Sequence, residues 1–399
     1  ERNAAVQQAE NAARLSALAV EQQERQFLPE LRLTAGTGFP YDTPTGPQDP
    51  TVTAGVSASV QIGNVYSTFA NLRQARINEE ASVENLTRSR QTVVFNVMSN
   101  YLALIEAQEQ LGVQEQNLRS VEAQEQQIRA YVDAGKRPIS DLYQQQASTA
   151  AARLAVVQAE RGLIVARMNL IRTLQLDPFG EYEFVVPELD SLSTSYASMD
   201  LDALARQALE QRPDLRASEL SLASAEQGLK VARASRWPSL SLQLGYNSGN
   251  FSSAQSGSLF DQFDQGRRGT LSLNVSVPIL DFNYSVNRER AEIQLDNARI
   301  ALENTRQAIA NEVRTAYLDL QLAERQLEVA ELQKQAADLA YEISQQRYDV
   351  GAATLVELTQ AQTSQVRAAS ALVSARYELI FRSRLMDYYL GNLNVDGLY

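Results

Sequence analysis

The 399-residue sequence contains no cysteine and no histidine. The first absence excludes disulfides, thiolate nucleophiles and cysteine-ligated metals. The second excludes a Ser-His-Asp triad and the common zinc sites. No acid paired with a base at catalytic spacing stands out among the remaining residues. We therefore expect a protein that is not an enzyme and that holds neither a cofactor nor a metal.

Glycine (18 residues) and proline (11 residues) are scarce and clustered, so long stretches of the chain contain no linker. No run approaches 18 consecutive apolar residues, and we expect no transmembrane helix. The net charge of -12 and the absence of a basic face argue against a nucleic-acid partner. The sequence begins at Glu1 inside a helical pattern and without Met, and we expect that a signal peptide has been removed.

The sequence contains an internal repeat, in which similar residues recur at an offset of about 216 residues. Tyr101–Leu104 returns as Tyr317–Leu320, and Gly135 returns as Gly351. Each copy is predicted to contain a helix, two strands, a long helix, a turn and a second helix. A repeat of this size indicates a pseudo-symmetric architecture rather than two independent domains.

Four segments carry apolar residues at every second position, with mostly small or polar residues between them. This pattern fits a barrel wall between lipid and a wet lumen, or a half-buried antiparallel sheet in a soluble protein. Their length of about ten residues suffices to cross a bilayer and favours the barrel. Four strands cannot close a barrel, so we expect the chain to oligomerise. The apolar positions are Leu31, Leu33 and Ala35; Val52, Ala54, Val56, Ala58, Val60 and Ile62; Leu240, Leu242, Leu244 and Tyr246; and Leu271, Leu273, Val275, Val277 and Ile279.

Two helices of unusual length are predicted over 65–133 and 285–350, each about 100 Å long at 1.5 Å per residue. Each is followed by a glycine turn and a return helix, over 140–174 and 355–390. Apolar residues alternate by four and three along both long helices, which is a heptad pattern. The predicted seams are Ile309, Val313, Ala316, Leu320, Ala323, Leu327 and Ala330, and, in the same register, Val93, Val97, Asn100, Leu104, Ala107 and Leu111.

Three motifs are the most specific marks in the chain: Arg212–Leu215, Trp237–Leu240, and Arg347–Gly351 followed by Leu355–Leu358. In this order within two repeats they resemble the TolC family of outer membrane efflux proteins, over essentially the whole chain. The resemblance implies a mainly α fold with a membrane β-barrel and two tandem repeats, each with a β-hairpin and long coiled-coil helices. It further implies a homotrimer whose 12-stranded barrel continues into a periplasmic α-helical barrel.

The resemblance also assigns each part of the chain to a region. The expected segments are a helix of the α-barrel (1–28), the first β-hairpin of the membrane barrel (29–63), a long helix with its tip turn and return helix (64–176), an equatorial segment (177–211), a second helix of the α-barrel (212–236), the second β-hairpin (237–281), another long helix with tip turn and return helix (282–390) and a C-terminal equatorial segment (391–399).

Proteins of this kind are exit ducts, so the resemblance implies a channel in the outer membrane of a Gram-negative bacterium, surrounded by outer membrane lipid. It would serve a tripartite efflux pump with a periplasmic adapter (membrane fusion) protein and an inner-membrane transporter of the RND or ABC type, and export drugs or other small molecules. Two alternatives stay open. One is the exit duct of a type I protein secretion system, and the other is a soluble coiled-coil scaffold that uses its helices for protein contacts only.

The resemblance places the working residues at the two helix tips. A pore constriction would involve Glu357, Gln360 and Asp141; gating contacts would involve Tyr348, Ser140, Asp141 and Arg137; and adapter docking would involve Gly135, Lys136, Val350, Gly351 and Ala352. Three copies of Glu357 would form a carboxylate ring that favours cations, weakened because Gln360 stands where the family often has a second acid.

Each tip assignment has a plainer alternative. Glu357 could lie on a solvated helix face, and the glycines could be required only to end a helix. An Arg that completes the tyrosine contact in some relatives would fall at Ala353, so Arg137 or Lys136 would have to replace it.

Overall fold

The computed structural model describes residues 3–38, 51–185, 196, 199–248, 258, 261–262 and 266–393. The segments predicted over 1–28, 29–63, 177–211, 237–281 and 391–399 lie partly outside this range. The helices are α1 (Ala4–Arg25), α2 (Val65–Asp133), α3 (Ile139–Thr173), α4 (Leu201–Gln211), α5 (Pro213–Ala234), α6 (Asn283–Asp349) and α7 (Leu355–Tyr389). The strands are β1 (Glu30–Gly38), β2 (Thr51–Gly63), β3 (Ser239–Asn247) and β4 (Arg268–Ser276).

The chain divides into two compact units. The larger unit comprises Glu1–Gln8, Thr87–Pro213 and Arg306–Tyr399, and the smaller unit comprises Ala9–Leu86 and Asp214–Thr305. A core cluster of Leu229, Ala291 and Leu295 lies in the smaller unit. In the part of the chain that the structure describes, no helix is both long enough and apolar enough to cross a membrane.

The strands form one antiparallel sheet in the smaller unit, in the order β1-β2-β3-β4. Leu33 lies opposite Val56, and Leu244 lies opposite Leu271, so the apolar positions of neighbouring strands align on one face. The described residues do not cover that face, since Leu33 is 77% exposed and Leu271 is 73% exposed. The alternation predicted from the sequence is confirmed, and it leaves an uncovered apolar surface.

The fourth strand is shorter than its sequence pattern predicts. β4 ends at Ser276, so Val277 and Ile279 lie outside the sheet and the prediction for these two residues was wrong. Pro278 stands two residues after the strand end, and proline has no backbone N–H to donate to a strand ladder. The corresponding end of β2 continues through a shift in pairing between Gln61 and Gly63.

The two long helices are confirmed, with 69 residues in α2 and 67 in α6. Both end at a glycine in the left-handed conformation, Gly135 with φ of 67° and Gly351 with φ of 79°. The N–H of Lys136 donates to the carbonyl of Tyr131 at 2.8 Å, and the N–H of Ala352 donates to that of Arg347 at 2.7 Å. These bonds satisfy carbonyls that a helix end leaves open, so the turns are Schellman motifs.

The return helices end in the same way, again 216 residues apart. Gly391, with φ of 79°, follows α7, whereas Gln175, with φ of 53°, follows α3. A side chain is strained in this conformation, but the Oε1 atom of Gln175 accepts a hydrogen bond from the N–H of Ala4 at 2.9 Å. Gln175 therefore ends one helix and caps the start of another.

The Arg212–Leu215 motif has a structural role in the larger unit and at the start of α5. Pro213 is the first residue of α5, as predicted from its suitability for a first turn. The Arg212 side chain is buried and pairs with Glu312 of α6 at 2.6 Å. Burial of an arginine is costly unless it is paired, so this motif anchors the junction before α5 to α6.

The predicted heptad seam is confirmed in α6, whereas in α2 five of its six residues are half-buried. In α6 the predicted positions are buried except Leu327, which is half-buried. In α2 only Leu104 of the predicted set is buried, while Leu102 and Ile105 pack with Tyr377 and Ile380 of α7. The predicted α2 seam keeps the register of α6, but the larger side chains of Leu102 and Ile105 lie beside it and decide which face is most deeply buried.

Tyr196 is buried against the end of α7. Its hydroxyl donates to the buried carboxylate of Asp387, which also pairs with Arg384 at 2.9 Å. Burial, together with the hydrogen bond to the Asp387 carboxylate, raises the pKa of Tyr196 to about 12.

This pKa predicts an alkaline limit to stability. A raised folded-state pKa means that the neutral hydroxyl stabilises the fold fully below the ordinary tyrosine pKa of about 10, and that this contribution is lost as the pH rises towards 12. At pH 8 we expect Tyr196→Phe to have a lower melting temperature than the wild type. By pH 11 the difference in melting temperature between the two proteins should become smaller. A difference that stays constant from pH 8 to pH 11 would contradict the assignment.

Candidate functional site: the helix tips

The turns after α2 and α6 share a small hydrophobic core in the larger unit. Its buried members come from α2, the end of α6, the second turn and the start of α7, and Val132, Leu142 and Tyr341 pack against them. We call this the tip cluster; it consists of Ile128, Tyr348, Ala353, Leu355 and Leu358. Because both repeats contribute to it, the two turns are held as one structural element.

Tyr348 is the largest side chain of the tip cluster and is 2% exposed. Its hydroxyl is buried and has no hydrogen-bond partner among the residues that the structure describes. Burial raises the pKa of Tyr348, and the nearby Arg137 guanidinium opposes this shift. A buried unpaired hydroxyl is costly, so this atom has an unused capacity for a contact.

Two of the predicted gating residues meet directly. The Arg137 guanidinium lies over the ring of Tyr348, 4.4 Å from its centroid, and donates a hydrogen bond to the Tyr348 carbonyl at 2.8 Å. Ser140 is exposed and Asp141 is half-buried, and the carboxylate of Asp141 is near enough to raise the pKa of Tyr348. Within the described chain the tyrosine hydroxyl bonds to neither, so their role in gating stays a prediction.

Glu357 occupies the third position of α7. The Thr354 side chain caps this helix by accepting a hydrogen bond from the N–H of Glu357 at 3.2 Å. The pattern Thr-x-x-Glu is the signature of a capping box, and a carboxylate in the first turn is favoured by the helix dipole. Glu357 and Gln360 are both exposed. Glu357 therefore combines a position at the helix cap with an exposed carboxylate, and its role in a constriction stays a prediction.

Arg347 is a site residue that the sequence did not single out as one. Its guanidinium lies 3.8 Å from the Glu357 carboxylate and donates to the carbonyl of Ala352 at 3.2 Å. It thus connects the end of α6, the turn and the start of α7. The Thr354-x-x-Glu357 spacing could have indicated the cap, but no local pattern indicates the pairing with Arg347.

The predicted docking residues are on the surface of the two turns. Gly135, Lys136, Val350, Gly351 and Ala352 are all exposed. A Cβ atom added at Gly135 or Gly351 would meet no other atom within 4 Å. The glycines are therefore required by backbone conformation and not by crowding, and there is space above both turns.

The sequence comparisons identify the family. Residues 1–174 and 204–391 match the family described as "Outer membrane efflux protein". The chain belongs to the outer membrane efflux protein family. This confirms the resemblance found in the sequence, and with it an outer membrane location. Across the described residues of this efflux protein, no group of three or more acidic side chains is placed to hold a metal ion.

Relatives of this efflux protein include two named outer membrane proteins. The pyoverdine export outer membrane protein OpmQ of Pseudomonas putida is 28% identical over 210 residues, which are 51% of this chain and 42% of OpmQ. The outer membrane protein TolC of Vibrio cholerae is 24% identical over 258 residues, which are 63% of this chain and 56% of TolC. The chain thus spans about half the length of the curated relatives it matches.

Solved structures show the same fold. A crystal structure of CusC has a TM-score of 0.87 and 18% identity, covering 98% of this chain and 89% of CusC. The outer-membrane channel OprN has a TM-score of 0.83 and 20% identity, covering 98% of this chain and 87% of OprN. The predicted mainly helical fold with a small sheet and tandem repeats is confirmed.

Proposed function

We propose that three copies of this efflux protein assemble into an outer membrane exit duct. The observation that carries the proposal is the sheet, in which the described residues leave two edges, β1 and β4, unpaired and one apolar face exposed. Open strand edges are not stable in lipid, whereas joining β4 of one copy to β1 of the next removes every edge. Three copies then give twelve strands, an even number that encloses a lumen.

We propose that the duct exports small molecules as part of a tripartite pump. The relative OpmQ is named for the export of pyoverdine. This supports a small-molecule cargo for the duct proposed here. The two exposed turns, held together by the tip cluster, provide a surface on which a periplasmic adapter could dock, and the adapter would connect the duct to an inner-membrane transporter of the RND or ABC type. A type I secretion duct would use the same tips for a polypeptide cargo.

Membrane fractionation and particle mass test the assembly. We expect the protein in the outer membrane fraction, extracted only by detergent, with a particle mass of three chains of 44.2 kDa each. A monomer that stays soluble without detergent would contradict the proposed duct and support the coiled-coil scaffold instead.

Glu357 allows a test of the constriction. We expect a planar bilayer containing the purified protein to show a small cation-selective conductance, and Glu357→Gln to reduce the selectivity because the carboxylate ring is lost. Glu357→Gln keeps the side-chain shape, and it leaves the α7 cap intact because Thr354 accepts from the backbone N–H of residue 357. Arg347→Gln is the matched control, since it frees the same carboxylate from its partner at 3.8 Å and should raise the selectivity. Identical selectivity in all three proteins would take Glu357 out of the constriction.

A further inference from the structure

The strands and helices of the smaller unit meet at one end of the sheet. β1 begins where β2 ends, because Glu30 lies opposite Ser59, and β3 begins where β4 ends, because Ser239 lies opposite Ser276. β2 and β3 are themselves paired antiparallel, so the end of β2 adjoins the start of β3. All four passages of the chain between sheet and helix therefore lie along one boundary.

Exposed apolar and aromatic side chains lie at this boundary. Each is within six residues of a strand end and more than half exposed, and Ile279 and Phe282 reach 97% and 80%. Tyrosine and tryptophan are enriched where acyl chains meet headgroups, because their rings are apolar at one end and polar at the other. We call this set the junction belt; it consists of Tyr66, Phe69, Trp237, Ile279, Leu280 and Phe282.

A cation without a carboxylate partner lies beside the junction belt. Arg236 is exposed, and its guanidinium lies over the ring of Tyr284, 4.8 Å from the ring centroid. Among the residues that the structure describes, no carboxylate pairs with Arg236. Asp281, three residues before Tyr284, instead accepts a hydrogen bond from the N–H of Asn283 at 2.9 Å. A guanidinium stacked on a ring keeps the N–H groups of its edge for a planar or tetrahedral oxyanion.

The arginine one turn earlier in α5 is different. Arg233 lies 3.5 Å from the Glu292 carboxylate, which also pairs with Arg288 at 2.9 Å. The charge of Arg233 is thus compensated by the chain itself. The charge of Arg236 remains for an anion from outside the chain.

The two repeats differ at this position. Arg236–Pro238 before β3 corresponds to Phe27–Pro29 before β1. Phe27 packs against Phe69, with ring centroids 5.6 Å apart. In the described chain, one junction therefore has a ring against a ring, and the equivalent junction has a guanidinium against a ring. This predicts one anion site per chain rather than two.

We propose that Arg236, supported by Tyr284, binds the headgroup phosphate of an anionic phospholipid in the leaflet nearest the helices. The guanidinium hydrogen-bonds the phosphate, and the acyl chains pack on the junction belt and the apolar face of the sheet. That exposed apolar surface favours a lipid over free phosphate, since only a lipid would cover it. The proposal rests on the lipid-facing sheet of the proposed duct, but all of its residues belong to one chain.

Native mass spectrometry of the detergent-solubilised protein, titrated with phosphatidylglycerol, tests the site. We expect the wild type to retain one tightly bound lipid per chain. Arg236→Gln should bind it about tenfold more weakly, the effect of losing one hydrogen-bonded charge. Arg236 is exposed, so this change leaves the core intact.

Arg233→Gln is the matched control. It removes the same charge one turn earlier, from an arginine that Glu292 already pairs. We expect it to retain phosphatidylglycerol as the wild type does. Equal binding by Arg236→Gln and Arg233→Gln would overturn the proposal.

Two further ligands identify the group that is recognised. A diacylglycerol with the same acyl chains but no phosphate should bind the wild type about tenfold more weakly than phosphatidylglycerol. Inorganic phosphate in large excess should not displace the lipid, because it makes no contact with the belt. Displacement by inorganic phosphate, or equally tight binding of the diacylglycerol, would contradict a phospholipid site.

Arg236→Lys separates the guanidinium from its charge. Lysine keeps the charge but lacks the planar fork that stacks on a ring and bonds phosphate through two N–H groups. We expect an affinity between those of the wild type and Arg236→Gln. A lysine variant that binds as tightly as the wild type would contradict recognition by the stacked guanidinium.

The outcomes separate this site from the proposed function. A particle of three chains that binds phosphatidylglycerol no better than the diacylglycerol overturns the lipid site and leaves the duct standing. A particle of one chain that retains the lipid, and loses it in Arg236→Gln, supports the site and overturns the trimer.

Discussion

Gly351→Trp is expected to abolish efflux while the protein still assembles at its normal yield. Gly351 lies at the surface of the second turn, with open space where a side chain would project. An indole ring there would fill the space in which we propose that the adapter rests. The measurement is the drug resistance of a strain that depends on this duct, together with the amount of trimer in its outer membrane.

Gly351→Ala separates docking from helix termination. Both substitutions place a side chain at φ of 79°, which costs about 1–2 kcal/mol for an L-residue, but only tryptophan adds bulk. We expect the alanine variant to keep most of its efflux. The same pair at Gly135, with φ of 67°, tests the first turn. Equal loss of efflux in the alanine and tryptophan variants would show that the glycines serve the backbone alone.

Tyr348→Ala is expected to lower the free energy of unfolding by about 3–5 kcal/mol, the range for removing a buried aromatic side chain. The ring fills the tip cluster and supports the Arg137 guanidinium 4.4 Å from its centroid. Both turns depend on this cluster, so the variant should also bind the adapter poorly. Denaturant unfolding of the detergent-solubilised protein measures the loss, and a loss below about 1 kcal/mol would contradict the packing role.

Tyr348→Phe isolates the hydroxyl. Since this group has no hydrogen-bond partner within the described chain, we expect the phenylalanine variant to unfold at nearly the wild-type denaturant concentration. If the hydroxyl bonds to Ser140 or Asp141 of a neighbouring copy, the same variant should conduct more ions in a bilayer. Unchanged conductance would show that the hydroxyl has no role in gating.

The helices of this protein could be predicted closely because their ends are marked by residues with strict backbone requirements. Gly135 and Gly351 occupy the left-handed position after a helix, and Pro213 starts one. The α6 seam was also readable, since Ile309 and Val313 repeat with a regular spacing in a helix without proline. Periodicity of this strength specifies which face is buried.

Other features depend on contacts that sequence periodicity does not contain. The alternation of β4 continues to Ile279, but Pro278 withholds a backbone donor and the strand stops at Ser276. The buried stripe of α2 is set by Tyr377 and Ile380 of α7, which are distant in the chain. At the tips, the stacking of Arg137 on Tyr348 joins residues 211 positions apart, so only the folded chain brings them together.

The corner after each return helix shows how a duplicated chain diverges. At one corner glycine adopts the left-handed conformation without cost, and at the other Gln175 accepts the strain and gains a bond to the start of α1. Equivalent positions of the two repeats meet different neighbours within one polypeptide, so different residues can satisfy the same backbone conformation. Each repeat therefore provides a comparison for the other. Exchanging equivalent residues between the two repeats would show which positions depend on their particular neighbours.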